Sequence, residues 1–351
     1  MAERKQRDLW ADYAKGLCIL LVFAGHSDAI PRAVRIFIYL FHMPMFFFCM
    51  GYYSRTAETF GAFVKKRFRQ LMLPFFAYGI LYHVLFLGIA VPLLRGGPDW
   101  SVCRDNLLGL VIQLRGTDYI APKWFLTAAF SASVMFFALR KYAHNRKIEI
   151  IAVAAVSAAL AYAGKRTGFA LPWYIDVAVP CMMFMYLGEY AREKDLAPGG
   201  KKILALTGIG VLIAAALTVF FAGSPERYCI DYRVLRITPY IPVTVGGAAL
   251  CLALYGLLKK AGKKSILTYI GENSLLFYLF DNLPELLIKK AAAVVGITNV
   301  YVVSVCQLVG IVLLTPVIVM FIKYFFWFLF GLKKPDWAFR WGKRRIAAEN
   351  E

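Results

Sequence analysis

The 351 residues are 60% hydrophobic and 16% aromatic, with a mean hydropathy of +0.60, which is too much apolar material for a single water-facing core. Apolar runs of about 18 to 25 residues recur along the whole chain, the length that crosses roughly 30 Å of hydrocarbon, so a soluble protein is excluded and a polytopic membrane protein is predicted. The net charge of +20 does not point to nucleic acid, because the cations lie between the apolar runs, where membrane topology places them.

Ten spans are predicted, at about 10–29, 34–53, 71–94, 123–139, 148–163, 173–191, 203–222, 239–258, 266–287 and 300–330. Together they describe an all-α, polytopic bundle in one domain, 1–351, with a basic tail over 332–351. The last span is long enough to leave the membrane as the aromatic segment "KYFFWFLFG". No cleavable leader is expected, since the first run carries charges and lacks a small-residue cleavage site. If the N-terminus is cytoplasmic, the inside segments hold 27 lysines and arginines and the outside segments 13, with Lys15 in the first span. That excess predicts both termini inside. The larger outside segments are 95–122, where "WSVCRDNLLGLVIQL" suits a surface-lying helix, and 223–238. Cys103 and Cys229 map to these two segments, and a disulfide between them is possible in an oxidising compartment.

The first span, "DYAKGLCILLVFAGH", carries three polar groups at membrane depth, where ionisable side chains usually face a cavity or a partner. Lys15 and His26 are 11 residues apart, about 20° beyond three full turns, so they share one helix face across a rise of roughly 16 Å. Asp12 lies one turn before Lys15, near the same stripe, and Ile19 and Val22 fill the face between. Asp12 and Lys15 are either an interfacial ion pair with the lysine snorkelling or the inner edge of a polar channel. The shared stripe favours the channel for His26. In the second span His42 precedes Pro44 in "FHMPMFFF", and a proline there frees backbone carbonyls where a cavity is lined. His83 sits in an ordinary apolar run and reads as structural. His144, in a basic loop, is given no role.

"FVKKRFRQLMLP" follows, with Lys65, Lys66, Arg67 and Arg69 just before the third span. These cations are either a topology signal in contact with headgroups or a phosphate site. Further along, Asp176 and Glu189 lie near opposite ends of the sixth span, and a helix-end cap is the plain reading of both Glu189 and Glu272. In "YIGENSLLFYLFDN", Glu272 and Asp281 are half a turn out of phase and point to opposite faces of a straight helix. Arg227, Arg233 and Arg236 in the outer segment read as solvated. The aromatics Trp100, Tyr119, Trp173 and Tyr228 would form an interface belt or stack on sugars. No metal-ligand spacing, Gly-rich phosphate loop or nucleophile elbow occurs.

The order Asp12, Lys15, Gly25–His26, "FHMPMFFFCMGYY", "FVKKRFRQLMLPFF", "KWFLTAAF" (123–130) and "IGENSLLFYLF" resembles the integral-membrane acyltransferase-3 family over almost the full chain. That family includes fucose-4-O-acetylase-like and peptidoglycan O-acetyltransferases. The resemblance implies a multi-pass protein of the bacterial inner membrane. It would O-acylate a glycan or lipid-linked sugar, with acetyl from cytoplasmic acetyl-CoA. The family's basic residue ahead of a histidine matches Lys15 and His26, though arginine is more usual at the first position. Its basic pair before the third span matches Arg67 but meets Gln70 second. Met50–Gly51 stands where Ser-Gly is usual, and Asp281 replaces a histidine.

Acyl transfer to a hydroxyl needs a base and a positive environment for the oxyanion. His26 is expected as the base with Lys15, Asp12 and His42 around it, and Lys65, Lys66, Arg67 and Arg69 on the coenzyme A phosphates. Trp124, Glu272 and Asp281 are expected along the channel. A proton-coupled transporter or flippase of a sugar or anionic substrate is the competing expectation, and a non-catalytic scaffold is the third.

Overall fold

The computed structural model describes residues 8–93, 96–114, 123–143 and 145–332. Arg4, Lys5, Arg7, Tyr119, His144 and nearly all of the basic tail lie outside the described residues. Among the described residues the regular structure is helical, apart from one isolated bridge between Asp231 and Arg236. Helices long and apolar enough to cross a membrane run over Arg32–Tyr52, Phe60–Leu93, Arg146–Thr167, Gly200–Phe220, Tyr240–Leu258 and Val300–Phe325.

In chain order we number the main helices α1 (Leu9–His26), α2 (Arg32–Tyr52), α3 (Phe60–Leu93), α4 (Trp100–Ile112), α5 (Trp124–Tyr142), α6 (Arg146–Thr167), α7 (Ile175–Glu193), α8 (Gly200–Phe220) and α9 (Tyr240–Leu258). The predicted ninth span is broken into α10 (Ile266–Glu272), α11 (Ser274–Phe280) and α12 (Asn282–Val294), and α13 covers Val300–Phe325. The first break falls at Asn273, whose side-chain amide turns back onto the Tyr269 carbonyl at 2.7 Å. Asparagine competes for backbone partners in this way and so interrupts helices. Asp281 stands at the second break. The predicted surface helix is α4, which buries Cys103, Asn106 and Leu110 on one side and packs on the wide π-helical turns of α3.

Position in the bundle follows from apolarity around each helix. Nearly every side of α2 is apolar, and 78% of its apolar stretch is buried, against 17% for α8, so α2 is central and α8 peripheral. Pro44 lies inside α2 and has no N–H for the Leu40 carbonyl. Gly247 of α9 lies against that oxygen, where a Cβ would come to 2.5 Å.

Two reciprocal glycine pairs seat the helices around the site. A Cβ on Gly16 of α1 would stand 2.0 Å from the Leu267 carbonyl oxygen, and one on Gly271 of α10 would stand 1.8 Å from that of Asp12. Gly51 of α2 and Gly188 of α7 meet the Met185 and Phe48 carbonyls in the same manner. Such backbone-to-backbone seats are how helices associate where water does not drive packing. At the end of the bundle nearest Lys15, Arg140 holds Glu189 at 2.9 Å and Glu149 at 3.3 Å. Tyr186 donates to Glu149 at 3.0 Å. Glu189 is therefore part of a buried ion network joining α5, α6 and α7, rather than a helix-end cap.

Candidate active site

Two chambers meet inside the bundle. The larger is a cavity of about 960 Å³ bordered by His26, His42, Lys123, Trp124, Arg233 and Asp281, among others. The smaller is a cavity of about 250 Å³, mostly apolar, with Lys15 and Arg67 as its charged lining. Val22, Met43 and Tyr278 belong to both walls, and we call this shared border the collar. The α1 stripe runs along both: Lys15, Ile19 and Val22 in the small chamber, Val22 and His26 in the large one.

His26 is the last residue of α1, and the turn after it is held by cations. Arg35 of α2 is buried, donating from Nε to the Gly25 carbonyl at 3.2 Å and from Nη2 to those of Ser27 and Ile30 at 2.9 Å. A guanidinium at a helix C-terminus satisfies carbonyls that the helix leaves without partners. Arg227 donates to the His26 carbonyl at 2.7 Å. The His26 ring, accessible from the chamber, faces Tyr228 with ring centres 6.2 Å apart. His42 is 3% exposed, and its Nδ1 lies 2.8 Å from the Ile38 carbonyl. That contact assigns the proton to Nδ1 and leaves Nε2 as the ring's lone-pair nitrogen.

Two ion pairs stand in the large chamber. Lys123 caps the start of α5 in a left-handed conformation (φ 56°). Its ammonium contacts the Asp281 carboxylate and reaches the Asn282 side-chain oxygen at 3.3 Å. The Tyr278 ring lies 5.1 Å from the same ammonium. In the segment 223–238 Arg233 binds Asp231 at 3.1 Å. Burial pushes the Asp231 carboxyl above its ordinary value, and Arg233 opposes that shift.

The predicted residues divide as follows. His26, His42, Trp124 and Asp281 gather in the large chamber and Lys15 and Arg67 in the small one, while Asp12 pairs with Lys15 at 2.8 Å. Lys65 and Arg69 border a separate groove with Phe60, Val64 and Phe68, and Lys66 pairs with Glu58 at 2.9 Å. Glu272 is exposed and lines neither chamber. The possible disulfide is not formed, and three other readings gain detail. His83 borders the large chamber, with no hydrogen-bond partner at Nδ1. Tyr228 lines it too, and Arg227 and Arg233, exposed as expected, also pair with Asp28 and Asp231. Cys103 and Cys229 are separate free thiols, near the Val84 and Glu226 carbonyls respectively. Among the described residues no group of histidine, cysteine and carboxylate side chains could hold a metal ion.

The acyltransferase-3 family model, described as an acyltransferase domain, matches residues 8–329. The chain belongs to the acyltransferase-3 family. It is a multi-pass membrane protein of the acyltransferase kind, so its chambers are the places to seek an acyl donor and an acceptor. Nodulation protein NolL of Mesorhizobium japonicum is 31% identical over 253 residues, which cover 67% of this chain and 61% of that protein. The chain thus spans less than two thirds of that relative's length. No solved structure matches this acyltransferase-3 chain.

Proposed function

We propose that this acyltransferase-3 protein is an O-acyltransferase of the bacterial plasma membrane, with ten spans and both termini in the cytoplasm. It moves an acetyl group from cytoplasmic acetyl-CoA to a hydroxyl of a cell-surface glycan or lipid-linked sugar. The observation that carries this reading is the pair of chambers joined at Val22, Met43 and Tyr278. A narrow, mostly apolar passage suits a pantetheine arm, and a wide polar one suits a sugar. Arg67 and Lys15 stand along the donor's path. The lysine at 65, the lysine at 66 and the arginine at 69 lie around the same helix and meet the donor's phosphates at the mouth.

His26 takes the proton of the acceptor hydroxyl as its oxygen attacks the thioester carbonyl. Lys123 and Arg233 supply positive charge near the resulting oxyanion. Collapse of the intermediate breaks the C–S bond, and the imidazolium returns its proton to the departing coenzyme A sulfur. His42, fixed through Nδ1, is the second ring of the site.

Purified protein is to be tested for acetyl-CoA binding and turnover beside His26→Ala and Arg67→Ala. Binding retained and turnover reduced by at least about 100-fold in His26→Ala, with binding weakened in Arg67→Ala, is expected. Full turnover in His26→Ala removes the base assignment. No affinity of folded protein for acyl-CoA favours the transporter.

A further inference from the structure

The small chamber has an exposed aromatic ring on its border. Tyr53, just past α2, lines that chamber together with Lys15 and Arg67. It is 43% exposed, yet its backbone is held on both sides. The Tyr52 carbonyl accepts from Arg192 at 2.8 Å and from Arg55 at 3.2 Å. The Ser54 carbonyl accepts from the same two guanidinium groups, at 2.6 and 2.8 Å. The Tyr53 ring is 14° from parallel with that of Trp10, with centres 6.0 Å apart. Trp10 is itself buried, boxed edge-on by Tyr52 and Tyr255 with centres at 4.8 Å. Lys259 donates to both of those tyrosine hydroxyls at 3.0 Å. A tyrosine of an interfacial belt sits at the headgroups, whereas Tyr53 stacks on a buried ring and borders an internal chamber.

Arg67, on the same chamber, has donors to spare. Its Nε is buried with no hydrogen-bond partner among the described residues, and its Nη1 meets Gln70 Oε1 only at 3.4 Å. A guanidinium so placed suits a phosphate oxygen. The Tyr53 hydroxyl stands in the field of Asp8 and Asp12, which suits an amino-bearing base at the ring and leaves phosphate to Arg67. Length agrees with this division. Met43 at the collar and Tyr53 are ten residues apart, a rise of roughly 15 Å along a helix. A pantetheine arm is as long as four or five extended residues, also roughly 15 Å.

We propose that Tyr53 is the stacking platform for the adenine of the acyl donor, with Arg67 on the donor's phosphates and the thioester at the collar. This rests on the acyl-CoA reading and deepens it by giving the base a subsite. The protein then selects a nucleotide-bearing thioester over the same thioester on bare phosphopantetheine. Arg55, Arg192 and Trp10 already hold the ring in place, so binding has little left to order. A purine on such an aromatic face gains roughly tenfold in affinity.

The test is equilibrium binding of acetyl-CoA and of acetyl-4′-phosphopantetheine to the whole protein in lipid nanodiscs. Unaltered protein is expected to hold acetyl-CoA about tenfold more tightly. Tyr53→Leu is expected to lose most of that preference by weakening acetyl-CoA alone, and Tyr53→Phe to keep it. Equal affinity for both thioesters in unaltered protein overturns the subsite. So does a preference left intact in Tyr53→Leu, the outcome for a ring that serves only the membrane interface, or an equal weakening of both ligands. If Tyr53→Leu does not fold, acetyl-CoA carrying 8-azidoadenine decides on unaltered protein. Photolabel on residues 52–55 supports the platform, and label confined elsewhere overturns it. No affinity for either thioester removes the donor reading and the subsite with it, whereas acetyl-CoA binding without a preference removes the subsite only.

Discussion

The Lys123–Asp281 pair joins two helices that are distant in sequence, and both side chains are largely withdrawn from solvent, at 8% and 13% exposure. Removing one partner strands the other charge, so Lys123→Ala should cost about 3–5 kcal/mol. A Lys123→Ala/Asp281→Asn double variant should recover part of that loss, and thermal melting of the four combinations measures the coupling. Additive losses would remove the pairing as a source of stability. At this scale the sequence was partly readable. Lys15 and His26 could be aligned because both sit on one helix, whose geometry is local. Arg227 reaches the His26 carbonyl across 201 positions, and Arg233 enters the chamber from the same segment; no spacing rule connects such residues. The cations at 65, 66, 67 and 69 show where closeness in sequence stops being informative. Their closeness in sequence suggested one site, yet at about 100° per residue neighbours on a helix diverge, and only Arg67 turns into the small chamber.

At the scale of elements, the glycine seats carry a direct expectation. Gly16→Ala or Gly271→Ala places a methyl on a backbone carbonyl and must push α1 from α10, with a loss of at least about 2 kcal/mol. Gly208→Ala is the control: it lies in α8 with open space around its Cβ position, and alanine there should leave stability unchanged or raise it by up to about 1 kcal/mol. Melting of the three variants side by side checks this, and equal behaviour would contradict the seats. Hydropathy pointed to each of the six described helices long and apolar enough to cross a membrane, because apolar length is a one-dimensional signal. It missed the breaks at Asn273 and Asp281, which depend on a side chain competing for backbone partners and on a charge meeting Lys123 from another helix.

For the whole molecule, the collar decides whether the two chambers act as one. Met43→Trp should close it, leaving acetyl-CoA binding intact while transfer to any acceptor falls by more than about tenfold. Met43→Ala should widen it and admit longer acyl chains. Binding assays and product analysis across an acyl-CoA series separate these effects. Unchanged transfer in Met43→Trp would mean that the acyl group takes another path.

The same collar bears on something other than chemistry. A large polar chamber in a bilayer invites water, and water invites ions. At Val22, Met43 and Tyr278 an ion would have to shed its hydration shell between an isopropyl group, a thioether and an aromatic ring, which offer almost nothing in return. Hydrophobic constrictions of this kind empty of water and become electrically silent. The protein is therefore expected to carry no ionic current in a planar bilayer although its larger chamber is polar, and conductance recordings check this.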